Sequence, residues 1–368
     1  MSKVIKLLFH VGYPKTATSM VRNNLATFSH ILFIGKNDTD KKKKSSYFKG
    51  DLYDLHNTIF KTYRMEVIAG FANPSRSSAA LLNEYADKIF HLIVASKKET
   101  VVISDECIGD YYNYIGEWNL FLIIALGNLI EKKLKTKDYK VKKNLSFTIR
   151  KQINVIKSFI GYSQTLNIRS VDQFLDCFSN SPYEGVMGSF YYYSNARLIE
   201  SITDINWSIQ IVPYEILEMD NQVDTFISRI LNEETTQKRE YIKERINSNS
   251  ILIKNISNFK QILRPRNYFT TTGFRFRCEG INIFSKAKKR KLLATMCWGV
   301  SLFVIGRAYS LVGALQNKFL KLLRLNKEKY VFCSEKAEKK IQDTYLYDNK
   351  CLVRYVDENE LKKFGYIS

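Results

Sequence analysis

Proline is rare in this chain, at 5 of 368 residues, and glycine contributes only 16. That scarcity argues against long disordered or low-complexity tracts. The six cysteines (Cys107, Cys177, Cys278, Cys297, Cys333 and Cys351) are scattered, with no C-x-x-C pair. The four histidines, His10, His30, His56 and His91, do not cluster with them. Neither a zinc site nor a disulfide framework follows; free thiols suit a reducing compartment. Acidic residues are outnumbered, 36 against 57 basic ones, for a net charge of +21. The excess implies an anionic partner: a nucleotide, a nucleic acid, an acidic glycan or a lipid head group. The lysines are dispersed, with clusters at 41–44, 132–143 and 286–291, and no zinc-finger or RNP-like signature accompanies them, so nucleic acid is not expected. There are no internal repeats. The first apolar run is too short for a signal peptide and leads straight into a turn, which gives an expectation of a cytoplasmic protein.

What the chain does have is 45% hydrophobic and 13% aromatic residues, enough for a sizeable core. Its length suits one large domain or two small ones. Apolar strand-like runs at 4–10, 31–34, 101–104, 145–149 and 207–212 alternate with helical patterns at 20–28, 52–63, 77–94, 117–135, 151–162, 170–178, 183–203 and 221–232. Strand–helix alternation predicts an α/β fold with a mainly parallel sheet flanked by helices. A single domain over 1–368 is expected, with 233–343 as a largely helical extension that shapes a substrate site or a membrane contact. An irregular stretch is expected at 264–284, and short amphipathic helices over the last forty residues.

Segment 292–315, LLATMCWGVSLFVIGRAYSLVGAL, has the length of a membrane span. Arg307 lies inside it, and an arginine at mid-span costs about 3 kcal/mol on insertion scales. With basic clusters on both sides, it reads as a buried helix or one resting on an anionic membrane surface.

The N-terminal stretch is the most informative. It runs Val4-Ile-Lys-Leu-Leu-Phe-His-Val-Gly-Tyr-Pro-Lys-Thr-Ala-Thr-Ser19. An apolar strand ends in a turn with Gly12 and Pro14; Lys15, Thr16, Thr18 and Ser19 follow, and then a helix. Strand, turn, Lys-Thr and helix form the layout of a phosphate cradle, in which backbone N–H groups and a helix N-terminus face an anion. The pattern is not G-x-x-x-x-G-K-[ST], because the second glycine before the lysine is absent. An ordinary strand–turn–helix with a solvated lysine has the same local sequence. The loop residues Gly12, Tyr13, Pro14, Lys15, Thr16, Ala17, Thr18 and Ser19 resemble the 5′-phosphosulfate loop of the sulfotransferase family, G-x-P-K-[ST]-G-T. The departure is Ala17, where glycine is usual.

A second stretch, Phe147-Thr-Ile-Arg150 followed by Ser158, resembles that family's 3′-phosphate motif. An arginine ends a strand there, and a serine follows eight residues later. Two helical turns bring a helix-start residue and the serine to nearly one face, so that a guanidinium and a hydroxyl can share one phosphate. Ile211-Val-Pro-Tyr-Glu215 and the tail 347–366 resemble later parts of the same family, while 35–100 and 232–343 lie outside the likeness. In the middle, Asp105-Glu106 follows the strand at 101–104.

The resemblance implies a P-loop sulfotransferase fold and 3′-phosphoadenosine 5′-phosphosulfate (PAPS) as co-substrate, with no metal required because lysine, arginine and backbone donors do the charge work. The sulfuryl group would go to a hydroxyl of a saccharide or glycolipid. It gives Lys15 the developing charge on the leaving phosphate, and Arg150 and Ser158 the 3′-phosphate. Glutamate is the base in glycan-directed relatives, which points to Glu106, with Asp105 as the rival; a helix N-cap carboxylate is the plain alternative for either. His10, inside the first strand, reads as a packed residue, and Glu215 as a structural partner of a helix end or arginine. Two other readings remain at this stage: a P-loop kinase or phosphotransferase with Asp105 on magnesium, and a non-enzymatic basic protein at the membrane surface.

Overall fold

Residues 4–12 alternate between two apolar faces, as a central strand of a parallel sheet must when helices cover both sides. The computed structural model of the chain describes residues 3–12, 16–35, 52, 58–59, 76–104, 116–162, 170–178, 190–204, 206–220, 222–233 and 333–368. In it, β1 is Val4–Gly12, followed by α1, Thr18–Leu25, and β2, Ile31–Gly35. Then come α2, Arg76–Ser96, β3, Thr100–Ser104, α3, Gly116–Lys135, and β4, Lys140–Ile149. Next are α4, Gln152–Tyr162, α5, Val171–Phe178, α6, Tyr192–Ile202, and β5, Trp207–Pro213. Helices α7, Glu215–Asp220, α8, Val223–Leu231, and α9, Glu335–Cys351, follow. A 3₁₀ turn at Leu352–Arg354 and α10, Glu358–Lys363, end the described chain.

The five strands form one sheet in the order β2-β3-β1-β4-β5. Every pairing is parallel, so the sheet is wholly parallel among the described residues rather than mainly so. From β1 the chain crosses over to β2 on one side, and from β4 it moves to β5 on the other. The carboxyl ends of β1 and β4 therefore flank a crevice where the connections diverge, the usual place for a ligand in an open parallel sheet.

The two faces of the sheet carry separate cores. Ile5, Leu7, Phe9 and Val11 of β1 pack with α2, α3, α4, α6 and α9. Leu8 points to the opposite layer, with Met20, Val21 and Leu25 of α1 and Phe226, Ile227 and Ile230 of α8. At about 25 cal/mol per Å² of apolar surface, these layers supply the main drive for folding. On the first face Phe9 stacks on Trp207, with ring centroids 5.7 Å apart. Gly127 of α3 lies so close to that indole that a Cβ would come within 2.7 Å of it.

Three differences from the sequence reading have physical reasons. β4 starts five residues earlier than expected, because its charged start is accommodated. Lys143, fully buried, bonds Glu131 at 2.5 Å, Asn128 Oδ1 at 2.7 Å and Asp204 at 3.1 Å. Burying such a lysine is tolerable only when its charge is paired and its donors are used. α9 is a 17-residue helix rather than a short one. Its buried positions, Ala337, Ile341, Tyr345, Asp348 and Asn349, keep helical spacing but end in polar groups. β1 runs through Gly12, so this glycine is the last strand residue and not part of the turn.

The expected helix over 52–63 lies mostly outside the described residues. The irregular stretch 264–284 and segment 292–315 lie wholly outside them, as does the expected helical extension between 234 and 332. Among the described residues no helix is long and apolar enough to cross a membrane.

Candidate functional site

The carboxyl end of the sheet is where the two quoted motifs meet. Gly12, at the end of β1, is the register partner of Thr148 in β4. The loop after Gly12 and Arg150, two residues past Thr148, thus leave adjacent strands at the same edge. On the other side of β1, His10 is in register with Ser104, the last residue of β3. Asp105-Glu106 follows that residue directly. The three strands that lead into the predicted site segments are immediate neighbours.

Within the loop, Tyr13, Pro14 and Lys15 lie outside the described residues. Thr16 and Thr18 are buried, and Ala17 takes a left-handed backbone, φ 58° and ψ 25°. That conformation explains why glycine is usual at this place in the resembled loop: a Cβ is strained there. Ala17 is the N-cap of α1 and supplies no side-chain cap, and the first turn of α1 carries no acidic residue. α1 starts six residues after β1 ends, so the positive end of its dipole lies on the carboxyl side of the sheet. Ser19 lies in that first turn.

Arg150 sits in the short link between β4 and α4. Its Nη2 donates to Glu218 Oε1 at 2.6 Å, and its guanidinium lies over the Tyr214 ring, 4.5 Å from the centroid. Both partners come from the segment after β5. Helix α4 begins at Gln152, so Arg150 precedes it, and Ser158 lies half-exposed in the middle of the helix. Arg150 is thus not a helix residue, and helical spacing does not bring it onto the face of Ser158. Asp105 and Glu106, the base candidates, lie outside the described residues.

Glu215 holds the turn that carries Arg150. Its carboxylate accepts from the Lys151 backbone N–H at 2.8 Å and from the Tyr366 hydroxyl at 2.9 Å. Burial pushes its pKa up, and these two hydrogen bonds draw it partly back. The helix-end role read from sequence is the one seen. The Tyr192 hydroxyl donates to the Arg150 carbonyl at 2.6 Å. Gln152, the first residue of α4, donates to Asn349 Oδ1 at 2.8 Å and to the Phe190 carbonyl at 3.3 Å. Asp348 accepts from the Tyr193 and Ser194 N–H groups, both at 2.9 Å, and so caps α6. The tail residues 348–366 thus brace the Arg150 turn from behind.

One residue of this region was read only as packed. His10 is 1% exposed, and it points to the α1 face of the sheet like Leu8. Its Nδ1 is 2.8 Å from Ser104 Oγ and its Nε2 is 3.0 Å from Thr148 Oγ1. Burial, with the Arg22 charge adding to it, lowers its pKa to about 3, so the ring is neutral near pH 7. Ser104, Ser146, Thr148 and Arg22 are buried around the same level, a polar layer above the apolar residues Leu8, Phe33 and Val102. No sequence signal joins these residues, because the partners of His10 lie 94 and 138 positions away.

No cluster of histidine, cysteine and carboxylate side chains suited to a metal ion occurs among the described residues. Comparison with known proteins finds no match: no family model, no curated protein and no solved structure matches the chain.

Proposed function

We propose that this chain is a sulfotransferase that moves the sulfuryl group of PAPS to a hydroxyl of a saccharide or glycolipid. The observation that carries the reading is the register of Gly12 with Thr148. It supports a single anion-binding edge to which the 13–19 loop and Arg150 both contribute. The start of α1 and Lys15 would hold the 5′-phosphosulfate. Arg150 and Ser158 would take the 3′-phosphate. In the reaction the acceptor oxygen attacks sulfur, the bond from sulfur to the phosphate oxygen breaks, and the acceptor proton passes to Glu106 or Asp105. Lys15 and the backbone donors meet the charge that builds on the leaving phosphate. The products are the sulfated acceptor and 3′-phosphoadenosine 5′-phosphate.

A nucleotide phosphotransferase is the second reading. It is favoured by β3, which lies beside β1 and ends at Ser104, so that Asp105 would stand where a magnesium ligand belongs.

Calorimetry with 3′-phosphoadenosine 5′-phosphate, 5′-AMP and ATP, with and without magnesium, separates the two. A charge-assisted contact to the 3′-phosphate is worth about 1.5–3 kcal/mol, so the bisphosphate should bind roughly tenfold or more tighter than AMP. Equal affinities would overturn the sulfotransferase reading. Magnesium-dependent preference for ATP would establish the second. Transfer of labelled sulfuryl groups to a panel of polysaccharides and glycolipids then identifies the acceptor class.

A further inference from the structure

Most of the α1 face of the sheet is apolar, yet its carboxyl end switches to hydroxyl and imidazole groups. Leu8 and Val102 are followed, two residues on, by His10 and Ser104. Ser146 of β4 is the register partner of His10, and Thr148 that of Gly12. A buried polar group costs stability unless it is hydrogen-bonded, so a polar row here needs a reason. His10 gives one. It stands on the central strand and bonds through each ring nitrogen to a different neighbouring strand, at 2.8 Å to β3 and 3.0 Å to β4. Ladder hydrogen bonds join β1 to each neighbour separately, but this one side chain spans all three strands.

Its place along the strands matters as much. His10 is two residues before Gly12, Ser104 is the residue before Asp105, and Thr148 is two residues before Arg150. The bridge thus sits one step inside the points from which the three site segments depart.

We propose that His10 is a positioning residue, a crossbar that fixes the carboxyl ends of β3, β1 and β4 as one unit. It thereby sets the spacing between Gly12, Ser104 and Thr148, the strand ends from which the segments of the proposed site leave. A neutral imidazole suits the task, because one nitrogen donates and the other accepts, and each hydroxyl can supply the complementary role. The positioning stands on the geometry alone; only its effect on a bisphosphate ligand rests on the sulfotransferase reading.

The test uses the full chain with His10→Phe, His10→Gln and Thr148→Val. Phenylalanine keeps bulk but removes both bonds. Glutamine can donate and accept across a similar span. Valine has the shape of threonine without the hydroxyl. Hydrogen exchange is followed by mass spectrometry in peptides covering 9–20, 102–107, 146–152 and, as a reference, 207–213. His10→Phe should speed exchange tenfold or more in the first three together while 207–213 changes little. His10→Gln should return all three toward the parent. Thr148→Val should loosen 146–152 and 9–20 but spare 102–107.

Affinity for 3′-phosphoadenosine 5′-phosphate should fall at least tenfold in His10→Phe and recover in His10→Gln. If the parent protein binds none, the functional reading fails and the exchange pattern still decides the crossbar. Unchanged exchange in both His10→Phe and Thr148→Val, or loosening confined to 9–20, overturns the proposal. Should His10→Phe fail to fold, Thr148→Val with parent-like exchange at 146–152 overturns it alone.

Discussion

Arg150 is held by Glu218 through a 2.6 Å charge-assisted hydrogen bond between the link after β4 and the segment after β5. Under the proposed function, this carboxylate would compete with the 3′-phosphate for the guanidinium. Arg150 and Glu218 side chains are 17% and 30% exposed, so the pair is partly screened and worth about 1 kcal/mol or less. Glu218→Gln should therefore tighten 3′-phosphoadenosine 5′-phosphate by roughly two- to fivefold. Arg150→Ala should weaken it by roughly tenfold or more. Calorimetry at fixed salt checks both, and a Glu218→Gln protein that binds more weakly would mean that Glu218 belongs to the binding site itself.

Lys15→Ala is expected to lower turnover more than nucleotide affinity. A cation that follows charge onto the leaving phosphate acts mainly in the transition state. Its loss should reduce kcat roughly hundredfold, as for other preorganised electrostatic groups. The backbone donors at the start of α1 should preserve much of the bisphosphate affinity. Near-normal kcat with a true acceptor would remove Lys15 from the chemistry.

Ala17 pins an L-residue at φ 58°. The left-handed region costs a residue with a Cβ about 1–2 kcal/mol. Ala17→Gly relieves that strain and gives back about 0.4–1 kcal/mol through the freer unfolded chain. Urea titration should show a net gain between about zero and 1.5 kcal/mol. Ala17→Val, with a branched Cβ, should instead lose stability. A marked loss in Ala17→Gly would mean that the loop needs the methyl group for packing.

Acid should find His10 before it finds most of the core. The native pKa is lowered from 6.5 to about 3, so between those values the unfolded chain holds a proton that the native chain excludes. Stability contributed by this residue is complete above the unfolded value and falls as pH drops, at about 1.4 kcal/mol per pH unit. The buried carboxyls Glu215 and Asp348 shift upward and push the other way. The measurement is therefore the difference in pH slope between the parent and His10→Gln from pH 7 to 4. Parallel slopes would show that His10 titrates normally.

Much of the layout was legible because period and punctuation agree. β1, β3 and β5 are apolar runs at two-residue alternation or fully buried, and Gly12 and Pro14 mark the exit of the first. Helices α2 and α3 follow from apolar spacing and match expectation within a residue or two. The first half of β4 was hidden because Lys140, Lys142 and Lys143 look solvated. Lys143 is buried only because Glu131, Asn128 and Asp204 meet it from other elements. The strand order, and with it the pairing of Gly12 with Thr148, is long-range information that no local window holds. The same is true of Glu218: a carboxylate 68 positions after Arg150 gives no sign that it will engage it.

The bracing of the Arg150 turn by the tail also has a consequence for synthesis. Gln152 finds Asn349 across 197 positions, and Glu215 finds Tyr366 across 151. A ribosome adds residues in order, so all five strands can assemble while the tail is still inside the exit tunnel. The arginine turn stays unfinished for that whole interval and closes last. A nascent chain halted before residue 345 should pair its strands yet lack the brace, and the Arg150 turn should reach its final form only when Tyr366 is free to bond Glu215.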